Sequence, residues 1–96
     1  MLRISTISVA KDTATLRLEG QLVGAWIAEL RDVCERMLSG GRRITLDLGD
    51  VSIIERPGLD LLAGLSRRPV AFVRCSPFQE EQLRRAVKIQ SKTIPL

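Results

Sequence analysis

The chain contains no histidine and no tyrosine, and its 96 residues include only two cysteines. The missing histidines remove the commonest general base and the commonest metal ligand together. Cys34 and Cys75 stand far apart and in no C-x-x-C, so no zinc cluster is spelled out. One disulfide between them stays open at this level, but two cysteines do not make a disulfide framework. No serine sits in a G-x-S-x-G turn, and none has a histidine to activate it. The glycines at Gly20/Gly24 and Gly40-Gly41 spell neither a dinucleotide fingerprint nor a phosphate-binding loop. Asp47, Asp50 and Glu55 could be grouped as a carboxylate cluster. They read more simply as one strand-face aspartate, one turn aspartate and one helix-start glutamate. The sequence therefore argues against an enzyme, a metal site and a cofactor.

Aromatic residues are equally scarce, at 3% of the chain: Trp26, Phe72 and Phe78. The core must then be built from Leu, Ile, Val and Ala. Single-stranded nucleic acid is held on aromatic stacking platforms, and none is interleaved with the basic residues here. No apolar run approaches the roughly 18 residues of a membrane span, and MLRISTISVAK has no signal-peptide core. These absences lead to the expectation of a cytoplasmic protein.

What is present is a hydrophobic content of 45% and a charged content of 27%, the balance of a globular domain. At this length one domain is expected over residues 1–96, with a core of about 2–88 and a C-terminal tail at 89–96. The net charge is +4. Residues 1–50 carry seven basic and seven acidic side chains, whereas residues 51–96 carry eight and four, so the excess lies in the second half. Such a patch steers anionic partners or is simply a solvated face.

Periodicity orders the elements. Leu2–Val9 and Ala14–Leu18 alternate as strands around a turn at Lys11–Thr13, and Gly20 is expected to end the second. Residues 23–38 place Val23, Trp26, Ile27, Leu30, Val33, Cys34, Met37 and Leu38 on one helical stripe, stopped by Ser39-Gly40-Gly41. Trp26, on the flank of that stripe, is either core or an interface anchor. Ile44–Leu48 is a strand, Gly49-Asp50 a turn, Val51–Ile54 a short apolar segment, and Leu59–Leu65 a short buried helix. Val70–Val73 suits a strand buried on both faces. Ser76-Pro77-Phe78-Gln79 is a helix start with a Ser-x-x-Gln capping box. The order β-β-α-β-α-β-α implies an α/β domain with a mixed sheet of four or more strands.

That order, with three of its turns, resembles the STAS domain, the fold of bacterial anti-sigma factor antagonists. Leu18-Glu19-Gly20-Gln21-Leu22 is similar to the family's L-x-G-x-L segment. Ile44–Val51 is similar to its "viLDLs-x-V" strand, and Ile54-Glu55-Arg56-Pro57-Gly58-Leu59 to its "iDSSGL" helix start. The resemblance implies helices mainly on one face of the sheet and a non-catalytic, transcription-regulating protein-binding module. It places the binding surface at Gly49, Asp50, Ser52, Glu55, Arg56, Pro57, Gly58, Leu59 and Leu62. Its partner would be an anti-sigma factor, a histidine-kinase-like ATPase. In switching members the serine before the glycine is phosphorylated by that partner. Here the position is Pro57, with Arg56 at the other serine position and Glu55 at the aspartate. No hydroxyl lies between Ser52 and Ser66, and phosphoryl transfer needs one. Pro57 is then either simply a good first helical residue or the mark of a surface that is always competent. A second reading is an accessory subunit docking on the ATPase subunit of an ABC-type lipid transporter, and a third is a homodimer formed through the same helix.

Overall fold

The computed structural model describes the backbone of residues 1–92 and the side chains up to Gln90. In chain order it has β1 (Leu2–Val9), β2 (Thr13–Leu22), α1 (Ala25–Ser39), β3 (Arg43–Ile54), α2 (Arg56–Leu65), β4 (Val70–Val73) and α3 (Pro77–Lys92). The strands form one mixed sheet in the order β1-β2-β3-β4. β1 and β2 are the expected antiparallel hairpin, and β2, β3 and β4 run parallel. The expected tail is partly helix, since α3 continues to Lys92; residues 93–96 lie outside the described residues.

Register shows which face carries the core. Ala14, Ile44 and Val70 are cross-strand neighbours, as are Leu16, Leu46 and Phe72. These rows are buried or packed against the core. The intervening rows read Thr15-Thr45-Ala71 and Arg17-Asp47-Val73, and they form the opposite, polar face. A period-two strand allows only this division. The helices therefore cover one face, with α1 against β2 and β3 and α2 between α1 and α3. The core is aliphatic, with Leu16, Leu18, Leu22, Leu30, Ile44, Leu46, Leu48 and Leu62 among its largest fully buried side chains. Cys34 is buried in it as a free thiol, and burial pushes its pKa up to about 11. Cys75 is also free.

Three expectations need correction. β4 is not buried on both faces: it is an edge strand whose Ala71 and Val73 are exposed. Gly20 does not end β2, which continues to Leu22. Gly49-Asp50 is not a turn between two segments. β3 is one strand of 12 residues, set against the 10 of β2. Pairing steps from Arg17–Asp47 to Glu19–Asp50, and again from Gly20–Val51 to Gln21–Ile53. Each step inserts one extra residue into β3, which is a bulge. A sequence pattern that loses its alternation twice in seven residues looks like a turn, and pairing with β2 is what makes it one strand.

The capping box at α3 forms as expected. Gln79 N–H donates to Ser76 Oγ, and Ser76 N–H donates to Gln79 Oε1, both at 3.1 Å. Gln79 does one thing more: its Nε2 donates to the Val51 carbonyl at 2.9 Å, and the residue is only 8% exposed. It thereby fastens the start of α3 to the bulged part of β3. Gln79→Leu keeps the volume, strands the Val51 carbonyl and opens the box. The expected loss is about 2 kcal/mol, from a buried acceptor left unpaired and a weakened cap. Urea denaturation checks it; a midpoint equal to that of the natural chain would show the bond to be dispensable.

Candidate functional site

The carboxyl end of β3 and the first turn of α2 project polar groups from a frame that is otherwise aliphatic. Both bulges fall here, and side chains answer the backbone groups around them. Gly49 N–H donates to Asp47 Oδ1 at 2.9 Å. Ser52 Oγ donates to the Gly20 carbonyl at 3.2 Å. With Gln79 on the Val51 carbonyl, three different side chains hold the stretch from Gly49 to Ser52.

Arg74, the residue after β4, clamps the same stretch. It is the only described non-glycine residue with a positive φ, at 55°. That backbone turn lays its guanidinium across β3. Nε donates to Asp47 Oδ1 and Oδ2 at 2.9 and 3.0 Å, and Nη2 lies 3.6 Å from Asp50 Oδ2. The hydrogen bond from Arg74 holds the Asp47 carboxyl below its usual value, and the bond from Gly49 N–H adds to the effect. A β-carbon on Gly49 would meet Arg74 Cζ at 2.5 Å, so glycine is what lets the arginine lie there.

Glu55 is the N-cap of α2, yet its side chain makes no bond to that helix. Its Oε1 accepts from Gly24 N–H, the N-cap of α1, at 2.8 Å. The carboxylate therefore serves the neighbouring helix, where an anion suits the free N–H groups and the dipole. Arg56 is offset by Asp60 one turn on, at 3.6 Å between exposed groups. Such a pair contributes a few tenths of a kcal/mol.

The residues expected to form the binding surface divide in two. Gly49, Asp50, Ser52, Glu55, Arg56 and Pro57 are exposed. Gly58, Leu59 and Leu62 are not; Leu59 is 8% and Leu62 0% exposed, and both belong to the core. A β-carbon on Gly58 would stand 3.0 Å from Leu22 Cγ, so this glycine marks close packing of α2 on β2. The outward stripe of α2 is instead Pro57, Asp60, Leu61 and Gly64, bordering a hollow with Arg31 of α1. The motif located the helix start but did not specify which flank of a leucine-rich helix turns inward.

Sequence reasoning also missed a groove of about 380 Å³ beside the bulges, with Ser52, Ile53, Arg74, Phe78 and Gln82 on its walls. Phe78 is 72% exposed and Ile53 51% exposed. Large exposed apolar side chains beside polar ones mark interaction sites. Trp26, at 36% exposed, lies at the margin of the core and not within it. No group of three or more metal-binding side chains comes together among the described residues. No described helix is long and apolar enough to cross a membrane.

With this geometry in place, comparison with solved structures finds the anti-sigma factor antagonist SpoIIAA in its unphosphorylated form. The TM-score is 0.71 at 15% identity, over 96% of this chain and 100% of that one. The chain shares the SpoIIAA fold. The phosphorylated form of SpoIIAA, the Bacillus cell fate determinant, matches at a TM-score of 0.69 and 17% identity, over 88% and 83% of the two chains. An uncharacterised protein of SpoIIAA-like fold from Shewanella loihica matches at 0.57 and 16%, over 92% and 78%. No family model and no curated protein matches the sequence. The domain is thus STAS-like in architecture, and the segments that suggested it are the end of β2, the bulged β3 and the start of α2.

Gly49→Ala tests the clamp. Arg74 is half exposed and can swing aside, so the fold survives while Asp47 loses its main stabilising partner. The Asp47 titration midpoint is expected to rise toward the ordinary value of about 3.9, as read by carboxyl NMR. The sign follows from linkage. A depressed carboxylate stabilises the fold above its unfolded pKa and loses that contribution as pH falls through the folded one. The deficit of the variant is therefore full near neutrality and closes in acid. An unmoved midpoint would mean that Arg74 does not hold Asp47.

Proposed function

We propose that the chain is a non-catalytic, cytoplasmic protein-binding module. It acts as anti-sigma factor antagonists do, by occupying a regulatory protein, and it lacks a phosphorylation switch. The observation that carries this is the first turn of α2. On a fold shared with SpoIIAA, which occurs in a phosphorylated form, that turn exposes Arg56 and Pro57 and offers no hydroxyl. Pro57 is the second residue of α2, where its missing N–H leaves no helical bond unmade.

Binding in this reading is surface complementarity with no covalent step. The partner lies across the Gly49–Ile53 bulges and the start of α2, with Ile53 and Phe78 as apolar anchors and Arg56 on the rim. A surface held by side-chain bonds on several sides is already ordered before the partner arrives, which lowers the entropic cost of association.

The test is affinity purification from the native host, with ATP present, followed by mass spectrometry of the bait and its partners. The natural chain is expected to retain one regulatory ATPase and to carry no phosphate between Gly49 and Leu65. Arg56→Glu, at an exposed position, should reduce retention about tenfold, or 1.4 kcal/mol. Pro57→Ser should create a phosphorylatable chain. Phosphate on the natural chain in that stretch, Ser52 included, would overturn the switchless reading. Retention unaffected by Arg56→Glu would remove the start of α2 from the interface.

A further inference from the structure

β4 is the last strand of the sheet, and its outer edge has no partner among the described residues. In a parallel ladder alternate residues bond to the neighbouring strand. The Pro69 carbonyl accepts from Ile44 N–H, so the phase leaves the Val70 carbonyl and both Phe72 backbone groups on the open side, while the Val70 N–H donates to the Arg68 carbonyl at 2.6 Å. Beside this edge, under α3, runs a groove of about 410 Å³. Its apolar lining is Phe72, Cys75, Leu83 and Val87, with two basic side chains, Arg74 and Arg84, and one acidic, Glu80, at its rim. An unpaired edge next to an apolar groove is the arrangement that accepts an added strand, the main chain bonding to the edge and every second side chain entering the groove.

Charge selects the occupant. Between Ser66 and Gln90 the chain has six basic and two acidic side chains, a surplus equal to the +4 of the whole protein. Arg68 stands where the chain enters β4 and Arg74 where it leaves. Each of these arginines already has an acidic neighbour: Glu35 for Arg68, Asp47 for Arg74 and Glu81 for Arg84. A guanidinium has five donors, and these side chains are 43%, 53% and 70% exposed, so capacity for a further carboxylate remains. The other edge differs. β1 is longer, but its register is broken between Thr6 and Ser8, a device that discourages pairing.

We infer that the edge of β4 and the groove under α3 bind an extended segment of a partner protein in which apolar and acidic residues alternate. The apolar side chains enter between Phe72, Leu83 and Val87. The acidic ones lie on the polar face of the sheet, beside the guanidinium of Arg74. This surface lies across Arg74 from the groove at Phe78 and does not depend on how that groove is used.

The probe is the peptide acetyl-Val-Glu-Val-Glu-Val-Glu-amide, added at up to about 1 mM to the ¹⁵N-labelled full chain, a range suited to a weak strand addition. Amide shifts are expected over Val70–Cys75 and Leu83–Val87, with slowed exchange of the Phe72 amide. Arg74→Ala, at an exposed site, should weaken binding at least tenfold. The same peptide N-methylated at alternate residues should not bind, and neither should a version with lysine in place of glutamate. Absence of shifts at the highest concentration would overturn the inference. So would shifts centred on Gly49–Pro57, equal binding of the lysine peptide, equal binding of the N-methylated peptide, or indifference to Arg74→Ala.

Discussion

Two extra residues in β3 govern most of what is distinctive in this chain. Twelve residues run beside ten, so the strand must bulge, and the bulges fall together at its carboxyl end. A bulge disturbs a ladder that would otherwise satisfy every backbone group, and backbone groups left unpaired are costly. The surrounding groups are answered by Asp47, Ser52 and Gln79, which come from β3 itself and from α3. Arg74 then holds Asp47 and spans to Asp50.

The same region fixes the starts of all three helices. α2 leaves directly from the end of β3. α3 is tied there through Gln79, and α1 through the bond from Gly24 N–H to Glu55. Polar side chains, each with an identified partner, thus set where the helices begin, and leucine packing sets how they lie on the sheet. This division explains how an ordered polar surface coexists with a core almost without polar groups, Gln79 being the one buried exception among the described residues.

Much of this was legible in the sequence. The element order, the antiparallel hairpin, the aliphatic core and the Ser76–Gln79 box follow from alternation, helical spacing and capping chemistry. What could not be read depended on contacts between distant residues. Gly49-Asp50 has the composition of a turn, and only pairing with β2 makes it a bulge. Leu59 and Leu62 sit beside an exposed motif, and only packing on Leu22 and its neighbours turns them inward. Arg74 gives no local sign that its backbone turns left-handed or that it reaches back to Asp47. Phe78 reads as an ordinary residue of a first helical turn until its exposure is seen.

Native-state hydrogen exchange at Gly24 and Gly49 tests most directly whether this end of the sheet is a held surface. Both residues are exposed, and each N–H is bonded to a side-chain carboxylate. If the polar bonds hold the surface, these two amides exchange slowly, in the same cooperative unit as the ladder amides of β2 and β3. Exchange at free-peptide rates while the ladder amides stay protected would contradict it, and would make the bulged end of β3 an ordinary mobile loop.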